Sequence, residues 1–174
     1  KENQDAWAVC QHEESGHTLC VGCDGMGGAA GGKLASRIAV DTFMTEMQKV
    51  LRRDMTPEQL REASSYAVVL ANRAIRDAAE ASVDCRGMGT TLVSAVSYDG
   101  GAVLSNVGDS RAYYITADGI QRVTKDHSLV ESMVDRGDIT AEEARHHPNR
   151  NLITRALGPD MSALSDEYIC PLEP

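Results

Sequence analysis

The sequence has few aromatic residues and a shortage of positive charge. Phe, Trp and Tyr together make up 4% of its 174 residues, so the core must be built largely from Ala, Val, Leu, Ile and Met. Lys and Arg number 17 against 26 Asp and Glu, which gives a formal net charge of −9. Because affinity for nucleic acid comes mainly from clustered Lys and Arg, this balance argues against a nucleic-acid-binding protein.

Long apolar runs are also missing, and the cysteines do not form an even set. No apolar stretch approaches the roughly twenty residues that a membrane-spanning helix needs, and no signal peptide is recognisable. The cysteines number five, and this odd count argues against a disulfide framework. A zinc site is not expected either. Buried free thiols in a reducing compartment are the expectation, which predicts a cytoplasmic protein without membrane contact.

The rest of the composition is that of an ordinary globular domain. Hydrophobic residues make up 42% of the sequence and charged residues 25%, and 174 residues are enough to bury a substantial core. No internal repeat, low-complexity stretch or linker divides the chain. We therefore predict a single domain over residues 1–174.

Hydrophobic periodicity predicts two strands, two long helices and then consecutive hairpins. Strands are indicated at residues 7–11 and 18–24, and a glycine cluster at 25–32 precedes a helix from residue 33 to about 53. A capping box of Thr56 and Gln59, with Pro57 at the first helical position, starts a second helix that runs to about residue 81. Later strands are predicted at 90–98, 102–107, 111–116, 120–124 and 167–170, with two short helices before the last. This order indicates an α+β layered domain rather than a βαβ series.

Three acidic residues stand where predicted strands begin or end. Asp24 closes the second strand, and its carboxylate together with the Gly25 carbonyl would offer hard oxygen ligands that suit Mg²⁺ or Mn²⁺. Asp5 enters the first strand, and pairing of the two strands would place it beside Asp24, where two carboxylates repel unless a cation lies between them. Asp109 interrupts two later strands. Taken singly, each Asp also fits a solvated turn, with Arg111 pairing to Asp109 at the surface.

Six short motifs occur in a fixed order along the whole chain. They are Asn-Gln-Asp at 3–5, Asp-Gly-Met-Gly-Gly at 24–28, Gly-Met-Gly-Thr-Thr at 87–91, Asn-Val-Gly-Asp-Ser-Arg at 106–111, Asp-His-Ser at 126–128, and Pro-Asn-Arg-Asn at 148–151 with Ile-Thr-Arg-Ala-Leu-Gly at 153–158. In this combination the sequence resembles the metal-dependent protein phosphatases, the type 2C serine/threonine phosphatases, in their bacterial form.

The resemblance implies an α-β-β-α sandwich of two antiparallel sheets flanked by helix pairs. It also implies a cleft where two Mg²⁺ or Mn²⁺ ions share a bridging water that attacks the phosphorus of a phosphoserine or phosphothreonine. By similarity, Asp24 bridges both ions, the Gly25 carbonyl binds one, Asp5 acts through metal-bound water and Asp109 binds a third ion. No side chain is expected to be catalytic beyond the metal-bound water, because Met26 stands where some eukaryotic members carry a general-acid His. The substrate-binding residues are left open.

The family's pattern is incomplete within this sequence. Its phosphate-binding Arg would fall before Lys1 and two of its metal-binding aspartates after Pro174, so the resemblance implies a C-terminally incomplete domain. Phosphoserine and phosphothreonine proteins are the expected substrates, and a cognate serine/threonine kinase is an expected partner. Two alternatives stay open: a non-catalytic fragment or pseudophosphatase that binds phosphoproteins or a partner kinase, and a dinucleotide-binding enzyme suggested by the glycine spacing at 25–30.

A few conspicuous residues are expected to be structural. His12 and His17 lie in a predicted hairpin turn and are expected to be solvated. Cys23 should point away from Asp24 into the core, because neighbouring residues on a strand face opposite sides. Arg155 is expected to hold a loop.

Overall fold

The computed structural model of the chain describes residues 3–171, and its elements follow the predicted order. They are β1 Asp5–Gln11, β2 Thr18–Met26, α1 Gly28–Val50, α2 Pro57–Ala81, β3 Gly89–Thr90, β4 Leu92–Tyr98, β5 Gly101–Val107, β6 Tyr113–Thr116, β7 Gly119–Arg122, α3 Leu129–Asp135, α4 Ala141–His146 and β8 Asp166–Pro171. A short 3-10 turn, Val83–Cys85, lies between α2 and β3.

The strands form two antiparallel sheets. The larger has the order β1-β2-β4-β5-β8, with β3 also pairing on β2, and the smaller is the β6–β7 hairpin. Within residues 3–171, two antiparallel sheets and four α-helices confirm the predicted α+β class. β2 pairs antiparallel with both β3 and β4, whereas a dinucleotide-binding fold needs parallel strands there. The dinucleotide-binding alternative is therefore wrong.

The core lies between the large sheet and the two long helices, which pack against each other as predicted. α1 lies over β1 and β2, and α2 lies over β5 and β8. Phe43 and Met47 of α1, Leu60 and Ile75 of α2, and Val96 of β4 are completely buried. Because Phe43 is the one Phe of the sequence, the core is filled mainly by aliphatic and Met side chains, as the composition indicated.

Alternation along β2 decides which residues reach this core. Leu19, Val21 and Cys23 are buried in it, while Asp24 is exposed, so the expected burial of Cys23 is confirmed. Cys20 and Cys23 have a C-x-x-C spacing, but positions three apart on a strand face opposite sides of a sheet. All five cysteines are free thiols, as predicted, but only Cys23 is buried and the other four are partly exposed.

α1 begins at Gly28 and not, as predicted, at residue 33. The glycines that indicated a loop are instead required by close packing of backbones. A Cβ on Gly32 would lie 2.7 Å from Oε1 of Gln4 and 2.8 Å from the carbonyl carbon of Gly25, and one on Gly25 would lie 2.0 Å from the Gly32 carbonyl oxygen. The first turn of α1 therefore passes directly over the end of β2, and glycine stays in the helix despite its low helix propensity.

α2 begins at the predicted capping box. The Thr56 hydroxyl accepts from the Gln59 amide at 3.2 Å, and the Gln59 Oε1 accepts from the Thr56 amide at 2.9 Å. A second capping box, of Thr140 and Glu143, starts α4. These caps satisfy amides that a helix leaves without intrahelical partners, and the cap at Thr56 confirms the predicted start of α2.

The turn between β1 and β2 is less solvated than predicted. His17 is buried, with Nδ1 2.6 Å from the Ser97 carbonyl oxygen and Nε2 3.0 Å from the Arg52 carbonyl oxygen. The expectation of a solvated His17 is wrong, because its ring ties the turn to the end of β4 and to the segment after α1. His12 is half-buried, with Nδ1 2.8 Å from the Ser15 hydroxyl.

The opposite face of the large sheet carries exposed apolar side chains. On β1, Trp7 is 76% exposed and Val9 is 62% exposed. A groove of about 290 Å³ runs along this face, and its lining includes Trp7, Val93, Leu104 and Arg111. Among the helices within residues 3–171, none has both the length and the apolar character needed to cross a membrane.

Candidate metal centre

Asp5 and Asp24 face each other across the β1–β2 ladder. Directly opposed residues of an antiparallel pair have Cβ atoms about 5 Å apart on the same face of the sheet, and both residues are exposed. Their carboxylate oxygens are hard ligands on one exposed face of the sheet. The pair therefore fits a hard divalent cation such as Mg²⁺ or Mn²⁺.

Hydrogen bonds hold the backbone around Asp24. Its amide donates to Thr91 Oγ1, and its carbonyl oxygen accepts from the Thr91 amide and from Thr90 Oγ1, each at 3.0 Å. The Gly25 amide donates to the Gln4 carbonyl oxygen at 3.2 Å, and the first turn of α1 covers Gly25. The end of β2 is thus held rigidly, with the Asp24 side chain on the outer face.

Asp109 lies in the turn after β5, and this turn packs against the β2 end. Gly108 has a left-handed φ of 101°, and a Cβ there would lie 2.6 Å from Thr91 Cγ2. Ser110 Oγ lies 2.7 Å from Thr91 Oγ1, the same hydroxyl that accepts from the Asp24 amide. The turn that carries Asp109 is therefore tied to Asp24 through one threonine.

The described side chains supply only part of a metal ligand set. Within residues 3–171, no three His, Cys, Asp or Glu side chains lie close enough together to hold a metal ion. Asp5 and Asp24 therefore form a pair that Asp109 does not join as a third member. Because Mg²⁺ takes about six oxygen ligands and commonly keeps several waters, the pair and the Gly25 carbonyl fit such an ion only with further ligands.

If Asp109 lay in a plain solvated turn, Arg111 was expected to pair with it, but Arg111 does not contact Asp109 in this way. It pairs with Asp126, with Nε 2.9 Å from Oδ1 and Nη2 2.5 Å from Oδ2. Hydrogen bonding to this buried carboxylate raises the pKa of the Arg111 guanidinium above its ordinary value. The expectation was wrong because Asp126 lies beyond the β6–β7 hairpin, and only the folded chain brings it beside Arg111.

His127 and Asp166 lie beside the Asp109 turn, although the sequence patterns gave them no role. His127 is buried, and its Nδ1 accepts from the Gly108 amide at 3.0 Å while its own amide donates to the Gly108 carbonyl oxygen at 2.9 Å. Its Nε2 lies 3.0 Å from Asp166 Oδ2, off the axis of an ideal hydrogen bond. The Asp-His-Ser motif at 126–128 was the one signal that pointed to this histidine.

Arg155 holds a loop, as predicted, and also binds Asp166. Its Nη1 donates to the Leu164 carbonyl oxygen and to Asp166 Oδ1, each at 2.8 Å. Partial burial acts to raise the pKa of Asp166, but the contacts with His127 and Arg155 outweigh it and lower that pKa. Asp166 is therefore a carboxylate held between two cation-forming side chains.

Comparison with known proteins points to one family. Residues 1–162 match the family described as Protein phosphatase 2C. The serine/threonine phosphatase stp of Listeria innocua is 33% identical over 171 residues, which are 98% of this chain and 67% of that protein. The crystal structure of serine/threonine phosphatase Stp1 from Staphylococcus aureus matches with a TM-score of 0.92 at 34% identity, covering 99% of this chain and 66% of that one.

A further solved structure bears on the metal. The catalytic domain of the serine/threonine protein phosphatase PstP, in complex with two manganese ions, matches with a TM-score of 0.77 at 29% identity over 97% of this chain and 66% of that one. The chain thus spans about two thirds of the length of these relatives. Given the match over residues 1–162 and the shared fold, this chain belongs to the protein phosphatase 2C family.

Proposed function

We propose that this chain is a metal-dependent serine/threonine phosphoprotein phosphatase that hydrolyses phosphomonoesters. The observation that carries the proposal is the opposed pair of Asp5 and Asp24, two exposed carboxylates of the kind that Mg²⁺ and Mn²⁺ bind. The names of the relatives support the reaction, and the two manganese ions bound by one of them support the metal.

The residue roles follow the family resemblance. Asp24 is proposed to bridge two ions, the Gly25 carbonyl to bind one, Asp5 to act through water, and Asp109 to bind a third. When bound, Mg²⁺ or Mn²⁺ activates water for attack on phosphorus and neutralises charge on the phosphoryl group. The chain's own residues fix these ligands in place. Thr91 holds the Asp24 backbone, and the crossing of α1 over β2 leaves no room for a side chain at Gly25.

Phosphoserine and phosphothreonine in proteins are the proposed substrates, and a cognate serine/threonine kinase is the proposed partner. The relatives named serine/threonine phosphatases support this substrate class. We further propose that the protein acts in the cytoplasm, where a reducing environment suits its five free cysteines. We also propose that residues 1–174 are part of a single phosphatase domain.

The test is Mn²⁺-dependent release of phosphate from p-nitrophenyl phosphate and from a phosphothreonine peptide. Asp24→Ala should reduce the rate by at least about 100-fold, because even outer-shell changes at metal sites cost about 10–100-fold. Asp77→Ala, which removes a carboxylate that is 70% exposed on α2, should leave the rate unchanged. Hydrolysis without added metal, or full activity of the Asp24 variant, would contradict the proposal.

The same experiment separates the phosphatase from the non-catalytic alternative. A complete domain that binds the phosphothreonine peptide in a titration but releases no phosphate at saturating Mn²⁺ would be a phosphoprotein-binding module. Phosphate release that depends on both Mn²⁺ and Asp24 would exclude that alternative.

A further inference from the structure

We propose that His127 is a positioning residue, which holds the turn of residues 108–110, and with it Asp109, against the Asp24 end of β2. The inference rests on the proposed function, because the placement of Asp109 matters here as that of a metal ligand. His127 itself is buried and is not one of the proposed ligands.

On one side, the histidine grips both polar groups of a single glycine. Nδ1 accepts from the Gly108 amide, and the His127 amide donates to the Gly108 carbonyl oxygen. Because Nδ1 is the acceptor, a neutral ring must carry its proton on Nε2. The left-handed backbone of Gly108 is therefore fixed at both its amide and its carbonyl group.

On the other side, the ring faces the Asp166 carboxylate, which Arg155 holds in place. The protonated Nε2 faces Asp166 Oδ2 at 3.0 Å, and Arg155 holds the second oxygen of the same carboxylate at 2.8 Å. A carboxylate behind a histidine orients the ring and sets its tautomer in many metal sites. Here the same arrangement is directed at a backbone amide beside a proposed ligand.

The position of the turn is passed on to Asp24 by direct contact. Gly108 lies so close to Thr91 that a Cβ would be 2.6 Å from Thr91 Cγ2. Thr91 Oγ1 in turn contacts both Ser110 Oγ and the Asp24 amide. A displaced turn would thus move Asp109 and loosen the backbone of Asp24 together.

Two substitutions of His127 separate its contact with Gly108 from its contact with Asp166. In His127→Asn, the amide oxygen can occupy about the place of Nδ1 and accept from Gly108, while the contact with Asp166 is lost. In His127→Gln, the longer amide reaches the place of Nε2 and can still bind Asp166, but the Gly108 amide loses its acceptor. We expect the Gln variant to be the more damaging, although both remove the same ring.

The readout is Mn²⁺ binding, measured by quenching of Trp7 fluorescence. Trp7 is the single Trp of the sequence and lies two residues from Asp5 on the same face of β1. His127→Gln should weaken the apparent Mn²⁺ affinity about 10- to 100-fold, the range for residues that orient metal ligands, and His127→Asn should restore most of it. His146→Gln, at a histidine that is 80% exposed on α4, is the matched control and should bind Mn²⁺ as the wild type does.

Different outcomes test the metal site and the positioning role of His127. If Asp24→Asn leaves the Mn²⁺ quenching unchanged, the proposed metal site itself fails. If Asp24→Asn abolishes the quenching while His127→Gln leaves it intact, only the positioning role is overturned. Equal losses of affinity in the Asn and Gln variants, in step with equal losses of thermal stability, would also overturn it, since they would show a purely structural histidine.

Discussion

Glu167 is an acidic side chain on the face of β8 that packs toward α2. Ser105 Oγ donates to its Oε2 at 2.6 Å, and Ser165 Oγ donates to its Oε1 at 2.5 Å. Burial raises the pKa of Glu167 to about 7, and the two serine hydrogen bonds, which lower it, only partly oppose this. The carboxyl group therefore changes its charge near neutral pH.

We predict that Glu167 makes the free energy of unfolding fall as pH rises. Its folded pKa of about 7 lies above the ordinary value of 4.5, so the folded state binds the proton more tightly. The resulting stability is fully present below about pH 4.5 and is lost as pH rises through about 7. Glu167→Gln resembles the neutral acid and should exceed the wild type at about pH 8 by on the order of 1–3 kcal/mol.

Urea unfolding of both proteins at about pH 5 and about pH 8 measures this difference. The difference between wild type and variant isolates Glu167 from the other titrating groups. Glu62→Gln, at an exposed acid of α2 that lines the same pocket as Glu167, is the matched control. Identical pH dependence in the wild type and in Glu167→Gln would contradict the raised pKa.

At the scale of elements, the crossing of α1 over the end of β2 depends on Gly32. An Ala is normally favoured over Gly inside a helix by about 0.5–1 kcal/mol. At this position the new Cβ would meet the backbone of Gly25 and Met26 at 2.8 Å, and backbone cannot move aside as a side chain can. We therefore predict that Gly32→Ala destabilises the fold by about 1–3 kcal/mol.

Gly31→Ala is the matched control in the same helical turn. The Cβ added there would meet Met88 Cβ at 3.1 Å, a contact that a shift of a few tenths of an ångström relieves, whereas the Cβ at Gly32 would meet backbone atoms at 2.8 Å. In thermal unfolding, the melting temperature of Gly31→Ala should be well above that of Gly32→Ala. Equal melting temperatures would show that the backbones at the crossing can separate without cost.

The sequence predicted those elements whose signals are local. α2 was predictable because Thr56, Pro57 and Gln59 form a complete start signal within four residues. The start of α1 was not, because the packing of Gly32 on Gly25 outweighs the low helix propensity of glycine. Such a contact is invisible until the helix and the strand are placed together.

The candidate site likewise has contacts that the sequence predicted and contacts that it did not. The placement of Asp5 opposite Asp24 followed from a hairpin between neighbouring strands. The pairing of Arg111 with Asp126 did not follow, because Asp109 was nearer in sequence and equally charged. Nor did the contact of His127 with Asp166, which joins a loop to a strand from a later part of the chain.

At the scale of the whole molecule, apolar side chains are exposed at one edge of the large sheet. β1 is an edge strand, and its outer face carries Trp7 and Val9. An unpaired edge beside apolar side chains is a template for association between chains. We predict that the isolated 174-residue chain self-associates at micromolar concentrations and that Val9→Lys suppresses this association.

Sedimentation velocity over a range of concentrations measures the effect. Val83→Lys, at a valine that is 72% exposed in the 3-10 turn, changes charge and hydrophobicity equally but lies outside the sheet, and it should associate as the wild type does. A wild-type chain that stays monomeric at every concentration would contradict the prediction, as would equal suppression by both variants.

The far edge of the sheet is closed by a strand that arrives late along the chain. Ser105 and Glu167, which pair across β5 and β8, are 62 positions apart, whereas β1–β2 and β4–β5 join neighbouring strands. Because long loops cost more entropy to close and non-local pairings form slowly, we expect β8 to dock after the β1–β2 and β4–β5 hairpins have formed. Asp5 and Asp24 then meet before Asp166 reaches His127, so a folding chain acquires its carboxylate pair before the contacts that orient the neighbouring turn.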